Sequence, residues 1–178
     1  MKKVLLIFIL IQFIFCSVQG LTNDYDKLSE MQKSKIVPFV HSKSMSSNYV
    51  FKINGNQLKE ELKTHKKSLV YIFKNGCTSD YCKPLVVYEN FANKNGYQLF
   101  LVMNGYANLD ETLKQNIKSN LYVIDSDFYE TKYRNAYLQY FENDLCNKPR
   151  EQKNKEYLGN LFFFSEDKLQ VIMQDLPK

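Results

Sequence analysis

Two cysteines, Cys77 and Cys82, stand in the segment YIFKNGCTSDYCKPL (71–85), between two apolar runs of the chain. Thiols this close along the chain are able to form a disulfide, to exchange it with another protein, or to supply two ligands of a zinc or copper site. Exchange needs one thiol to attack as a thiolate and the other to resolve the mixed disulfide. The residue types therefore allow three interpretations: a redox pair, a structural disulfide, or half of a metal site.

The metal interpretation needs further ligands, which the sequence does not offer near the pair. The only histidines are His41 and His65, and both precede the cysteines. Neither a G-x-S-x-G elbow, nor a P-loop, nor an H-E-x-x-H motif is present. We therefore expect no metal and no cofactor. One further thiol, Cys146, is either a free cysteine or a third exchange partner of the pair.

The apolar runs around the cysteines predict the elements that position them. SLVYIF (68–73) is a continuous apolar run rich in β-formers, which predicts a buried central strand. KPLVVYENFANKNG (83–96) predicts a helix, with Pro84 in its first turn and Gly96 as its C-terminal cap. The pair would then lie beside a helix start, where backbone N–H groups and the helix dipole stabilise a thiolate.

Strands and helices are predicted to alternate along the rest of the chain. Further strands are expected at 48–53, 97–104 and 121–125, helices at 56–67, 108–120 and 127–145, and a hairpin at 161–164 and 169–173. Asn108 with Glu111, and Asp127 with Glu130, fit capping pairs at the starts of the last two helices. Alternation implies parallel strands with right-handed crossovers, to which the hairpin adds antiparallel strands, so we predict a mixed sheet.

The first 20 residues have the pattern of a signal peptide. The basic MKK precedes a 12-residue apolar run, VLLIFILIQFIF, and small residues in CSVQG then precede a cleavage point at Leu21. We expect export, with 1–20 as signal peptide, 21–47 as a polar tether and 48–178 as one domain. Cys16 follows the apolar run, where bacterial lipoproteins carry their lipid acceptor, so a membrane tether through lipidated Cys16 is an alternative.

Composition and charge argue against nucleic acid as a partner. The chain has 178 residues with 44% apolar and 24% charged residues, as expected of a globular domain. Its formal net charge of +5 falls to +3 without residues 1–20, because Lys2 and Lys3 are lost and no acid is. The remaining lysines are dispersed, so no basic nucleic-acid surface is expected. An oxidising compartment would allow a disulfide.

The segment SLVYIFKNGC…CKPL, a core strand followed by cysteines, a lysine and a helix, resembles the thioredoxin superfamily. Within it, the chain is similar to exported bacterial thiol–disulfide proteins of the cytochrome-maturation and envelope type. YQLFLVMNG, LYVIDSD and LFFFSEDKLQVI correspond in order to later strands, over roughly 48–173. The resemblance implies a thioredoxin-like three-layer α/β/α fold with a central mixed sheet closed by a C-terminal β-hairpin. It also implies exchange with protein thiols and disulfides in the periplasm or cell envelope, with Cys77 attacking and Cys82 resolving.

The chain departs from this family in its cysteine spacing. The family motif is C-x-x-C, whereas four residues separate Cys77 from Cys82. Helical positions five apart are about 140° out of phase, so we expect Cys77 in the loop and Cys82 at the helix cap. A second alignment places Ser79 where the family keeps its nucleophile. The family's cis-proline before the hairpin is missing from YLGNLFFF. A non-catalytic envelope protein with a structural disulfide and a partner-binding role is therefore the alternative function.

Overall fold

The computed structural model describes residues 20–41, 49–77, 82–154 and 156–177. The predictions for the signal peptide, for Cys16 and for Ser79 lie outside these residues. The strands are β1 (Ile36–Pro38), β2 (Val50–Ile53), β3 (Ser68–Phe73), β4 (Gln98–Met103), β5 (Leu121–Ile124), β6 (Leu161–Ser165) and β7 (Lys168–Met173). The α-helices are α1 (Glu30–Lys33), α2 (Gly55–Leu62), α3 (Leu85–Asn95), α4 (Leu109–Leu113) and α5 (Arg134–Leu145).

The strands form one mixed sheet in the order β1-β2-β5-β4-β3-β6-β7. The pairs from β1 to β3 are parallel, and the pairs β3–β6 and β6–β7 are antiparallel. The α/β class and the mixed sheet are thus confirmed. The sheet is open, however, and not closed by the hairpin: among the described strands β1 pairs only with β2 and β7 only with β6, so both lie at edges.

Helices cover both faces of the sheet, which confirms the three layers. Successive residues of a strand point to opposite faces, and every residue of β3 is buried. Leu69 and Tyr71 of β3 pack with Tyr88 of α3, whereas Val70 and the residues in phase with it pack with Phe141 of α5. Across the residues that the structure describes, no helix combines the length and the apolar character needed to span a bilayer.

Residues 21–41, the described part of the expected tether, fold against the sheet. β1 extends the sheet by pairing with β2 in parallel. The buried Asp24 and Arg134 form an ion pair at 3.0 Å, and Arg134 also donates a hydrogen bond to the carbonyl of Thr22. Leu28 and Phe39 also join the apolar cores on the two faces of the sheet. The polar composition concealed this attachment because these apolar residues are few and have no periodic spacing.

The helix α4 is much shorter than the predicted helix over 108–120. Asn108, expected as its cap, has a φ of 53° and makes no capping hydrogen bond. Further along, the backbone N–H groups of Lys118 and Ser119 both donate to Glu89 on α3, at 2.8 and 2.7 Å. These bonds satisfy donors that a longer helix would have used within its own backbone, so the chain leaves the helix early.

The helix α5 begins at Arg134, and the predicted start at residue 127 was wrong. The N–H of Asp127 donates to the Asp125 side chain at 3.2 Å, which makes a turn. Glu130 has a φ of 53°, a left-handed conformation that does not belong to a right-handed helix. Local side-chain bonds and this turn therefore occupy the segment in which the capping pattern suggested the first helical turn.

Candidate functional site

Cys77 and Cys82 form a disulfide, with their Cα atoms 6.0 Å apart. This separation lies within the ordinary range for disulfides. Cys77 follows the carboxyl end of β3 and is exposed, whereas Cys82 precedes α3 and is half-buried. The structure therefore brings together the two residues on which the sequence analysis concentrated, and it leaves Cys77 the more accessible sulfur.

A cleft of about 460 Å³ opens beside the disulfide, bounded by the end of β3 with its following loop, the start of α3, the segment around α4, and Asn160. We call it the disulfide cleft. Its floor is aromatic: Tyr71 stacks on Tyr88 with ring centroids 3.9 Å apart and on Phe73 at 5.5 Å. Burial raises the pKa of Tyr71 far above its ordinary value. The floor is therefore an uncharged aromatic surface at neutral pH.

The helix start lies further from the pair than expected. Pro84, not Cys82, is the N-cap of α3, with extended backbone at φ −55° and ψ 146°. Helical conformations are disfavoured for Lys83, the residue before this proline, and Cys82 lies two residues before the N-cap. The N–H of Leu85 donates to the side chain of Gln115 at 3.1 Å. This donor of the helix start is thus already bonded and is not free to stabilise a thiolate.

Asn75 holds the loop that carries Cys77. It is buried, and its Nδ2 donates to the carbonyl of Gly105 at 3.2 Å and contacts Met103 Sδ at 3.0 Å. Its Oδ1 is buried and has no hydrogen-bond partner in the part of the chain that the structure describes. Gly76 follows with a φ of 64°, and a side chain there would collide with Asn108. The Asn-Gly dipeptide is a turn signal, but it did not reveal this anchoring contact.

Asn160 borders the opposite side of the disulfide cleft. Its N–H donates to the carbonyl of Met173 at 3.2 Å, and its carbonyl accepts from the N–H of Ile72 at 2.9 Å. It precedes β6, the position of the missing cis-proline, and the described residues contain no cis peptide bond. Because both backbone groups are used within the sheet, only the side chain of Asn160 is available to a molecule in the cleft.

Four charged side chains surround the disulfide cleft and balance one another. Lys74 is exposed, and Lys83 pairs with Asp175 at 2.5 Å. This hydrogen bond with Lys83 lowers the pKa of Asp175 below its ordinary value. Glu111, on α4, supplies the second negative charge. With two lysines and two carboxylates the described surroundings of the cleft have no formal net charge.

The other thiol and the histidines lie away from the pair. Cys146 is half-buried at the end of α5 and packs on the sheet face opposite to Tyr71. Burial raises the pKa of the Cys146 thiol. His41 and His65 both contact Glu61 on α2. In the described ranges no group of three or more histidine, cysteine or acidic side chains is arranged to hold a metal.

No protein family, no curated protein and no solved structure matches this chain.

Proposed function

We propose that this chain is a thioredoxin-like thiol–disulfide exchange protein, exported to the bacterial cell envelope. Cys77 is the sulfur that exchanges with protein thiols and disulfides, and Cys82 resolves the mixed disulfide. The observation that carries this proposal is an exposed Cys77 in a disulfide at the mouth of a cleft, after the carboxyl end of a central strand. The disulfide also suits an oxidising compartment, in agreement with the signal-peptide pattern.

The exchange proceeds in two successive thiol–disulfide reactions. A partner thiolate attacks Cys77 Sγ and forms a new S–S bond, while the bond between Cys77 and Cys82 breaks and its electron pair leaves on Cys82. A second partner thiolate then attacks the partner sulfur of the mixed disulfide and releases Cys77 as a thiolate. The partner dithiol is oxidised, the pair is reduced, and the two protons of the partner end on Cys77 and Cys82. The same steps run backwards when the partner is the stronger oxidant.

Replacing the two cysteines one at a time tests this proposal. We expect Cys77→Ser to abolish reduction of insulin disulfides in the presence of dithiothreitol, because the exposed sulfur that attacks is removed and the remaining Cys82 is half-buried. Cys82→Ser should accumulate a mixed disulfide between Cys77 and the partner, visible by mass spectrometry, because the resolving thiol of the chain has been removed. The matched control is Cys146→Ser, on the opposite sheet face, which should leave the rate unchanged. The pH dependence of the alkylation rate of the reduced chain measures the pKa of the Cys77 thiol. We expect this pKa to lie below the ordinary thiol value of about 8.5.

A structural disulfide with a partner-binding role is the second candidate function. It is favoured by the start of α3, where the Leu85 N–H is bonded to Gln115 and is not free to stabilise a thiolate. This candidate predicts no turnover by the unmodified chain and a reduction potential below about −300 mV, as is typical of structural disulfides. Both results together would reject exchange, whereas turnover that depends on Cys77 would reject the structural role.

A further inference from the structure

The side chain of Asn160 is an unused carboxamide in the disulfide cleft. It is half-buried at the cleft wall, and the described residues form no hydrogen bond with its side-chain atoms. A carboxamide presents an acceptor oxygen and a donor N–H₂ side by side. This pair of groups complements the N–H and C=O of a peptide backbone. The backbone of a polypeptide in the cleft could therefore form hydrogen bonds with the side chain of Asn160, whereas the backbone groups of Asn160 are already bonded within the sheet.

The described charges around the disulfide cleft give an anionic occupant no advantage. Lys83 is paired with Asp175, and Glu111 offsets Lys74. A small anionic thiol such as glutathione would gain from Lys74 but would meet Glu111 across the same cleft. An uncharged peptide segment neither gains nor loses from these two residues, so electrostatics give an anionic thiol no net advantage over it.

Exposed apolar side chains adjoin, in sequence, residues that line the disulfide cleft. Val86 and Val87 follow Leu85 at the start of α3, and Tyr157 and Leu158 shortly precede Asn160. A small thiol would fill the cleft without covering these side chains. A longer, extended chain that passes through the cleft would bury apolar surface at both ends and gain free energy from doing so.

We propose that Asn160 is a substrate-positioning residue, whose carboxamide hydrogen-bonds the backbone of an extended, uncharged polypeptide segment and places the cysteine of that segment at Cys77. This inference rests on the proposed function, because it names the kind of partner that the pair would serve. The side chain of Asn160 would provide the selectivity, because both backbone groups of this residue form hydrogen bonds within the sheet.

Mixed-disulfide competition tests the inference without requiring turnover. The Cys82→Ser chain is first joined to glutathione through Cys77, then equilibrated with a short uncharged peptide that has one central cysteine. The peptide thiol displaces glutathione as the free thiol, and mass spectrometry gives the equilibrium constant. We expect the peptide to be preferred by about tenfold, the effect of one to two hydrogen bonds together with apolar contact.

Variants at Asn160 distinguish positioning from a structural role. Asn160→Leu, of similar size, should remove most of the preference, whereas Asn56→Leu, an exposed position on α2, should keep it. N-methylation of the peptide beside its cysteine should weaken binding by about tenfold to the chain with Asn160, and have no effect on Asn160→Leu. A peptide with two added acidic residues should gain no advantage over the uncharged peptide with either chain.

The outcomes separate this inference from the proposed function. Equal competition by glutathione and peptide, or a preference that survives Asn160→Leu, would overturn the role of Asn160 even if the unmodified chain reduces insulin. Conversely, a preference that depends on Asn160 in a chain without turnover would keep the binding role and reject exchange. Should Asn160→Leu fail to fold, the N-methylated peptides still decide: no loss of affinity at any position overturns the proposal.

Discussion

Glu142, on α5, is a carboxyl group whose environment changes its acidity. It is half-buried, and burial raises its pKa to about 7, with Lys148 acting in the opposite direction. A raised pKa in the folded state means that the native protein binds this proton more tightly than the unfolded chain does. Stability contributed by the protonated form is therefore present at low pH and is lost as the pH rises from about 4.5 through about 7.

Glu142→Gln should remove this dependence, because the amide stays neutral. Near pH 4 the variant and the parent should have similar free energies of unfolding. Near pH 8 the variant should be more stable by about 2 to 3 kcal/mol, since one pKa unit corresponds to about 1.36 kcal/mol. Urea unfolding at both pH values measures the difference. An advantage that is the same at both would show that Glu142 acts through its packing and not through its charge.

The residues of the site divide into those that the sequence predicts and those that it does not. Cys77 and Cys82 carry a recognisable chemistry, and their loop between a strand and a helix was predicted from the local apolar pattern. Asn75, Gln115 and Asn160 were missed as site residues. Gln115 and Asn160 reach the cleft only because the segment around α4 and the start of β6 are folded beside the end of β3, which no local pattern records. Asn75 lies two residues before Cys77, but its buried contact with Gly105 depends on a distant part of the chain.

At the scale of elements, α2 and α5 approach each other closely at Gly55. Its N–H donates to the Tyr129 hydroxyl at 2.9 Å, and that hydroxyl donates to Asp144 at 2.9 Å. A Cβ on Gly55 would lie 2.5 Å from Asp144 Cβ and 3.2 Å from the carbonyl of Phe141. Distances below 3.0 Å require the two helices to separate, because backbone and Cβ atoms cannot turn aside as a flexible side-chain end can.

Gly55→Ala should therefore destabilise the fold although alanine is the better helix former. Overpacking typically costs about 1–3 kcal/mol, which exceeds the roughly 1 kcal/mol that alanine gains over glycine within a helix. Thermal or urea unfolding should show the loss. Asn56→Ala, at the next and exposed position of the same helix, is the control and should change stability by less than about 0.5 kcal/mol. A Gly55→Ala chain as stable as its parent would contradict the close contact.

The N-terminal segment depends on the ion pair of Asp24 with Arg134. Both side chains are almost fully buried. Arg134→Met removes the positive charge and leaves Asp24 buried, with Lys27 as its remaining ionic contact. We expect a loss of about 3 kcal/mol, the low end for breaking a buried pair. Hydrogen exchange should rise first in residues 21–28, because this segment loses its anchor. Uniformly increased exchange would instead indicate that α5 itself is disrupted.

Strands and helices were predicted correctly where a run of apolar residues alone determines the element. β3 was predicted with its observed bounds because all of its residues are buried, and the hairpin β6–β7 nearly so. β1 was missed, since three residues that pair with a neighbouring strand leave no periodic signal. The C-terminal end of α4 and the start of α5 were wrong, because backbone N–H groups there donate to the side chains of the distant Glu89 and the nearby Asp125 and not to helical carbonyls.

At the scale of the whole molecule, two apolar cores hold the sheet, one on each face. Neither contains Cys77 or Cys82, and neither cysteine belongs to a helix or a strand. Disulfides replace a core in small secreted domains, but a chain of this length buries enough apolar surface to fold without one. The disulfide is thus peripheral to the packing, which the proposed exchange requires of a bond that opens and closes.

The Cys77→Ser/Cys82→Ser double variant should accordingly keep the fold. Closing a loop this short stabilises a protein by about 2 kcal/mol in the chain-entropy model, so the loss should not exceed that value. The far-UV circular dichroism and the near-UV signal of the buried tyrosines should remain those of the oxidised chain, and urea unfolding should remain a single transition. Cys146→Ser controls for the removal of a thiol. A double variant that loses its near-UV signal would show that the bond maintains the core, which favours the structural role over exchange.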